Sequence, residues 1–229
     1  MSLFYILELH SGSQESQALS DNDLEKIGVS SQRLPHLIGL NLFTLARGEH
    51  DPFLKDENPP VLVIQATVEN SDSLDRLLKS SQLIQLLKEL SAIALMNVRL
   101  SQQAFAKKAY LSTKTAKGFA ELSYLVNYQK PAEDEAAFIA YYCEHHPKIL
   151  MEFSDIRRVE LGVPVIWDPP ANIEVADRML YCEVSFDDID ALNVSLSSDI
   201  RAKLRADYEC FPPFSGSVTH FAMHRRTLI

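Results

Sequence analysis

Glycine is scarce in this chain. Seven occur among 229 residues, at positions 12, 28, 39, 48, 118, 162 and 216. Neither G-x-G-x-x-G nor G-x-x-x-x-G-K-[ST] can be assembled from them, which excludes the two common glycine-rich phosphate cradles. Cysteine is scarcer still. Cys143, Cys182 and Cys210 fit no zinc-binding spacing, and an odd, sparse set reads as reduced thiols of a cytoplasmic chain. There is no H-E-x-x-H, and no apolar run approaches the roughly 20 residues needed to cross a bilayer. The opening MSLFYILELH has no basic region and soon meets Glu8, so it reads as a strand rather than a signal peptide. Positive charge is also short: 22 Lys and Arg against 31 Asp and Glu leave a net charge of −9, so neither nucleic acid nor a membrane surface is an expected partner. What remains is 46% hydrophobic and 23% charged, an ordinary globular composition.

The organisation is a weak repeat. In the first half, FYILELH (4–10) reads as a strand, 20–33 as a helix and LNLFTLAR (40–47) as a second strand. VLVIQATVEN (61–70) alternates with period two on a β-branched background and reads as a third strand. A helix over 71–90 follows, with Leu74, Leu77, Leu78, Leu86, Leu87 and Leu90 at helical spacing, and then a strand at 94–100. The second half runs in the same order: strands at 121–129 and 156–163 around a helix at 133–146, a strand at 179–186, a helix at 187–208 behind an Asp cap, and a strand at 217–224. Leu74-Asp75-x-Leu77 is echoed by Ile189-Asp190-x-Leu192, and Ser80-Ser81 by Ser197-Ser198. Each half is thus β-α-β-β-α-β, the ferredoxin-like order. The expected fold is α+β: a repeat at 1–106, a lysine-rich linker at 107–118 and a second repeat at 119–229. A four-stranded sheet with helices on one face needs a cover for the other. Two such sheets can cover each other as an intramolecular α/β barrel, with a ligand-sized cleft expected inside. That arrangement does not demand a homodimer but is compatible with one.

Residues 124–160 carry a more specific signal. Tyr124-x-x-x-Tyr128, Pro131, Phe138-x-x-Tyr141-Tyr142-x-x-x-His146 and Ile156-Arg157-Arg158 occur without a gap from Phe138 to Arg158, and a helix with Asp207 and a strand at 217–224 follow. This resembles the EthD-like family of the dimeric α/β-barrel superfamily over about 118–228. The first half resembles it only in element order. The resemblance implies a tandem barrel acting on or holding a small organic molecule. Relatives include isomerases, dehydratases, decarboxylases and cofactor-free oxygenases, and some tandem relatives bind haem. A count from Phe138 and one back from Arg157 put His146 at the family's histidine position. The family's His-x-Pro spacing, set against Pro147, puts His145 there instead. The first half has no histidine at the matching point near Ser30, so the site is expected once per chain.

The residues themselves suggest roles. An imidazole titrates near neutrality, which suits a general base or acid, so His146 is the candidate proton-transfer group. At about 100° per residue, His145 falls on the apolar stripe of its helix with Tyr141 and Tyr142, His146 flanks that stripe, and Pro147 ends the helix. Strand alternation puts Val159, Leu161, Val163, Leu180, Cys182, Val184, Phe186, Phe221 and Met223 toward the helix-covered core. It leaves Ile156, Arg158, Glu160, Met179, Tyr181, Glu183, Val218, His220 and His224 on the face that meets the other half. Arg158, Tyr181, Glu160, Glu183, His220 and His145 are therefore the candidate substrate-binding residues. On that face, charges need partners, and an ion-pair network joining the halves is the alternative reading. By the same alternation the first half offers Glu8, His10, Gln65, Asn97 and Arg99. Tyr124 and Tyr128 read as packed aromatics, and Trp167 as a plug in a proline-rich loop. No metal or cofactor is expected: His50-Asp51 is isolated, and His220 and His224 on a strand are about 13 Å apart. The expected function is a cytoplasmic protein that binds a small hydrophobic or aromatic molecule, with His146 moving a proton and Arg158 and Tyr181 orienting the substrate. The alternatives are a non-catalytic ligand-binding protein and a haem-binding barrel.

Overall fold

The computed structural model describes residues 1–11, 19–51, 58–93, 98–111, 120–170 and 173–229. The first repeat contains β1 (Leu3–Ser11), α1 (Asp21–Gln32), β2 (Leu37–Leu45), β3 (Pro60–Val68), α2 (Ser71–Leu78), α3 (Ser81–Ile93) and β4 (Val98–Leu111). The second contains β5 (Leu122–Gln129), α4 (Glu135–Leu150), β6 (Arg158–Pro164), β7 (Glu174–Val175), β8 (Arg178–Phe186), α5 (Ile189–Leu196), α6 (Ile200–Tyr208) and β9 (Val218–Thr227). Within each repeat the sheet order is the ferredoxin-like one, β4-β1-β3-β2 and β9-β5-β8-β6. The repeats join edge to edge, β2 to β9 and β4 to β6, so the eight long strands close an antiparallel barrel with the helices outside. Closure leaves none of these eight with an open edge. The short β7 pairs parallel with β4. No described helix is long and apolar enough to cross a membrane.

Strand β4 corrects the expected linker. Residues 107–111 belong to β4 and pair with β6 from Phe105↔Pro164 to Leu111↔Arg158. Their lysines looked like a solvated crossing, but Lys107 Nζ lies 2.5 Å from Glu160. The charge is thus paired, and it does not mark a surface loop. Residues 112–118 of that segment, and residues 94–97 with Asn97, lie outside the described residues.

The long helices expected at 71–90 and 187–208 are each two. Both breaks fall at the echoed serine pairs. Ser80 Oγ donates to Leu77 O (2.7 Å) and accepts from Leu83 N (3.1 Å). Ser198 Oγ donates to Ser195 O at 2.7 Å. A serine hydroxyl offers the backbone a local partner in place of the next helical bond. Asp188 does cap α5, accepting from Ala191 N.

Pro147 does not end α4, which continues to Leu150. Proline lacks the N–H that would bond the carbonyl four residues back. That carbonyl, Cys143 O, accepts instead from the Tyr110 hydroxyl of β4 at 2.9 Å. Tyr110→Phe should therefore cost about 1 kcal/mol in urea unfolding. The loss should shrink in a Pro147→Ala background, where residue 147 supplies its own N–H.

Among the described residues, buried side chains occupy the barrel interior where a cleft was expected. Phe4, Ile6, Phe43, Val63, Phe105, Leu125, Tyr181, Phe221 and Met223 form its apolar middle. Gly162 is required here: a Cβ would stand 2.8 Å from Phe4 and 2.9 Å from Phe105. Polar networks surround this middle. Glu8 is bound by Arg178, by His10 Nε2 (3.2 Å) and by Ser101 Oγ (3.3 Å). Glu183 accepts from Ser123 Oγ (2.7 Å) and Gln65 Nε2 (3.0 Å), and Arg225 lies 3.8 Å away.

The faces of β6 and β8 are largely as alternation places them. Val159, Leu161, Leu180, Cys182, Val184 and Phe186 pack under the helices, while Met179 and Ile156 join them there rather than facing the other half. Strand β9 is inverted from expectation. Phe221 and Met223 point into the barrel, and Val218 and His220 lie under the helices. The register decides this, since Tyr124 and Val126 of β5 sit opposite Ala222 and His220, and opposed residues share a face.

Candidate functional site

A cavity of about 860 Å³ lies outside the barrel, between the β5-β8-β9 face of the second repeat and its helices. Tyr124, Val126, Tyr128, Val184, Phe186, Leu192 and Leu196 contribute to a mainly apolar wall. In the first repeat, Leu74, Leu77, Leu83, Leu86 and Leu90 fill the space under the helices. Ser197, Ser198 and Asp199, at the break between α5 and α6, line the cavity.

His146 lines this cavity. It belongs to the row Phe138, Tyr142, His146 and Leu150, one turn apart along the buried face of α4. His145, expected on the apolar stripe, is instead exposed and lies against the Tyr141 ring at 4.4 Å. The packed row leans to the other side of Phe138. The His146 ring is held between Tyr142 (4.7 Å) and the edge of Phe211 (5.3 Å).

His146 Nδ1 is 2.7 Å from Oδ2 of Asp207 on α6, and both side chains are almost wholly buried. The Tyr141 hydroxyl donates to the other oxygen of Asp207 at 3.3 Å. An ionised carboxylate only accepts, so Nδ1 carries the proton and Nε2 keeps a lone pair. Burial pushes the imidazole below its usual pKa of 6.5. The Asp207 bond offsets part of this, and the nearby Arg201 and His220 add to it. The ring is therefore neutral near pH 7, the form that a general base needs. Burial also raises the Cys182 thiol to about 12 and the Tyr142 hydroxyl well above its usual value, so neither supplies an anionic nucleophile here.

The first repeat reaches into this site. After β2, Gly48 turns the chain with a φ of 104°, a value that favours glycine. Asn193 of α5 then holds the passing backbone twice, donating to Gly48 O and accepting from His50 N, both at 2.9 Å. Asp51 follows, with its side chain 4% exposed. One of its oxygens accepts from the Tyr124 hydroxyl (3.0 Å) and from Arg201 Nη2 (2.5 Å).

Of the residues singled out from sequence, His146 and His220 line the cavity, with the His220 ring 5.8 Å from Tyr124. Arg158, Glu160, Tyr181 and Glu183 do not join them. They lie on the inner face of the sheet: Tyr181 packs against Phe4 and Phe105, and Glu160 pairs with Lys107 and Arg158. Glu8, His10 and Gln65 are in the interior networks, while Arg99 is exposed beside Glu174. Trp167 packs against Tyr5 of the first repeat. Sequence reading weighed Asp51 only as part of an isolated His50-Asp51 pair, missed Arg201, and attached no chemistry to Asp207. Their partners are 150 and 61 residues away, beyond any local pattern.

No family model matches the sequence, and no curated protein matches it. Solved structures do match the fold along the whole chain. A proposed monooxygenase of Fusobacterium nucleatum is 11% identical, with a TM-score of 0.57 over 99% of this chain and 93% of its own. An anthrone oxidase-like protein is 10% identical, with the same TM-score and the same coverage. A proposed monooxygenase of Lactobacillus acidophilus is 12% identical, with a TM-score of 0.54 over 99% of this chain and 95% of its own. At these identities the likeness is one of fold: this chain has the duplicated α/β-barrel architecture of those proteins.

Proposed function

We propose that this chain binds a small hydrophobic or aromatic, oxygen-bearing molecule in the cavity of its second repeat, and that His146 moves a proton to or from it. The observation that carries this reading is the buried His146–Asp207 pair in the wall of a largely apolar cavity. Asp207 selects the tautomer and steadies the ring, and apolar walls exclude water from a carbon–hydrogen bond next to a carbonyl. Removing that proton leaves a resonance-stabilised enolate. This is the shared first step of a cofactor-free isomerisation, dehydration or reaction with oxygen. The motif at 124–160 supports an EthD-like ancestry for the second repeat, and the free cysteines support a cytoplasmic setting.

The test follows the proton itself. The protein is incubated without oxygen in D₂O with a panel of aryl ketones and hydroxyarenes that includes anthrone and 1-tetralone. Ligand binding is read by thermal shift and deuterium uptake by mass spectrometry. The expected result is protein-dependent exchange, for at least one bound ligand, at the carbon that the carbonyl acidifies directly or through the conjugated ring. Binding with no exchange anywhere in the panel would make the chain a non-catalytic carrier.

A further inference from the structure

The cavity has a charged end that proton transfer by His146 does not account for. Arg201 lines it from the first turn of α6, and Arg205 follows one turn on. Arg205 pairs with Glu209 and is mostly exposed, so it belongs to the rim. The Arg201 side chain is 22% exposed, with the more deeply buried Asp51 at its Nη2 edge. A guanidinium is a planar fork of N–H donors whose geometry matches acidic oxygens. Burying an Arg–Asp pair is poor value for stability alone, because desolvation offsets most of the attraction. Here the carboxylate is delivered from the other repeat, past Gly48 and the two Asn193 bonds, to a position beside a ligand-sized space.

Two further observations point the same way. The α6 N-terminus lies at the cavity, where the exposed backbone N–H ends of a helix favour negative charge. Asp199, at its N-cap position, makes no side-chain capping bond. Asp199 lines the cavity as well. Arg201 and His146 line the same cavity. A base and a cation thus face one space, the arrangement needed when a proton leaves a carbon and negative charge gathers on an oxygen.

We propose that Arg201 receives an acidic oxygen of the ligand, so that the cavity takes a ring-bearing or otherwise apolar molecule whose single anionic or enolisable oxygen group lies at the α6 end. This rests on the reading that His146 works on a ligand in the same cavity.

The test uses two fluorescent probes with one ring system. 8-Anilinonaphthalene-1-sulfonate carries an acidic group, and N-phenyl-1-naphthylamine lacks it. The wild-type protein should bind the sulfonate at least about tenfold more tightly, the size expected of one charged hydrogen-bonded contact. Arg201→Gln in an Asp51→Asn background, which leaves no buried carboxylate without its partner, should bring the two affinities within about twofold. Arg201→Lys, which keeps the charge but loses the fork, should retain part of the preference. It also serves as the test variant should the glutamine form not fold. A sulfonate preference that survives Arg201→Gln overturns the assignment of Arg201. So does a wild-type protein that binds both probes equally, even where deuterium exchange is intact. If neither probe binds the wild-type protein, the cavity reading falls together with this one.

Discussion

Replacing His146 with alanine should cut protein-dependent deuterium exchange by about 10²–10⁴ while the ligand still binds. The magnitude is that of a general base removed from a site whose walls remain. Asp207→Asn should also lower the rate, by a different route. An amide no longer enforces the Nδ1–H tautomer, so part of the imidazole presents the wrong nitrogen. Nitrogen-detected NMR of the ring would show the tautomer directly.

The pH dependence separates the two variants. In the folded protein the His146 pKa is depressed, so exchange should persist below pH 6.5 before failing. Asp207 pulls that pKa upward, so Asp207→Asn should move the acid limb to still lower pH. Stability has the matching sign. The unfolded chain binds the proton more readily than the folded one, so stability is complete above about 6.5 and falls as pH drops through the folded value. His146→Ala should remove that part of the slope in urea titrations across pH 5–7. A wild-type rate that fails above pH 6.5 would mean that another group takes the proton.

The largest stability effect is expected inside the barrel. Arg178→Met leaves the Glu8 carboxylate buried beside His10 and Ser101 without its guanidinium, and should cost about 3–5 kcal/mol. Replacing both partners, Glu8→Leu with Arg178→Met, should recover most of that, because the cost comes from an uncompensated charge rather than from a lost attraction. Burial would raise the Glu8 carboxyl, but Arg178 and His10 outweigh it and hold the group at about 2. Its stabilisation is therefore complete above the usual 4.5 and is lost as pH falls through about 2. In Arg178→Met the sign reverses. With burial less opposed, the carboxyl rises, and the variant should gain stability relative to wild type as pH drops from 7 to 4. Urea midpoints at those two pH values for the single and double variants would decide it. An Arg178→Met midpoint equal to wild type at pH 7 would show that the carboxylate is already solvated.

Much of the second repeat was legible because its signals are local. The αβ order, the Asp188 cap, the alternation along β8 and the histidine near the end of α4 all lie within windows of a few residues. The serine pairs were visible as an echo, and the structure gives that echo its meaning as two helix breaks. The errors have a common origin. Lys107 looked like linker because its partner Glu160 is on another strand. Pro147 looked like a stop because the Tyr110 hydroxyl that replaces its missing N–H comes from β4. Strand β9 mixes apolar and polar residues on both faces, so only its register against β5 could choose between them.

The sequence by itself determined two βαββαβ repeats, a composition without phosphate-cradling loops, and a candidate base within the His145–His146 pair. These follow from periodicity, capping and residue chemistry, all short-range properties of a chain. Tertiary structure alone decided that apolar side chains occupy the middle of the barrel, that the cavity lies under the second repeat's helices, and that Asp207 meets His146 and Asp51 meets Arg201 beside it. Those outcomes depend on which buried charge finds which partner across 61 to 150 residues. Burial in a low-dielectric interior makes such pairings compulsory, but only closure of the barrel brings the partners within reach.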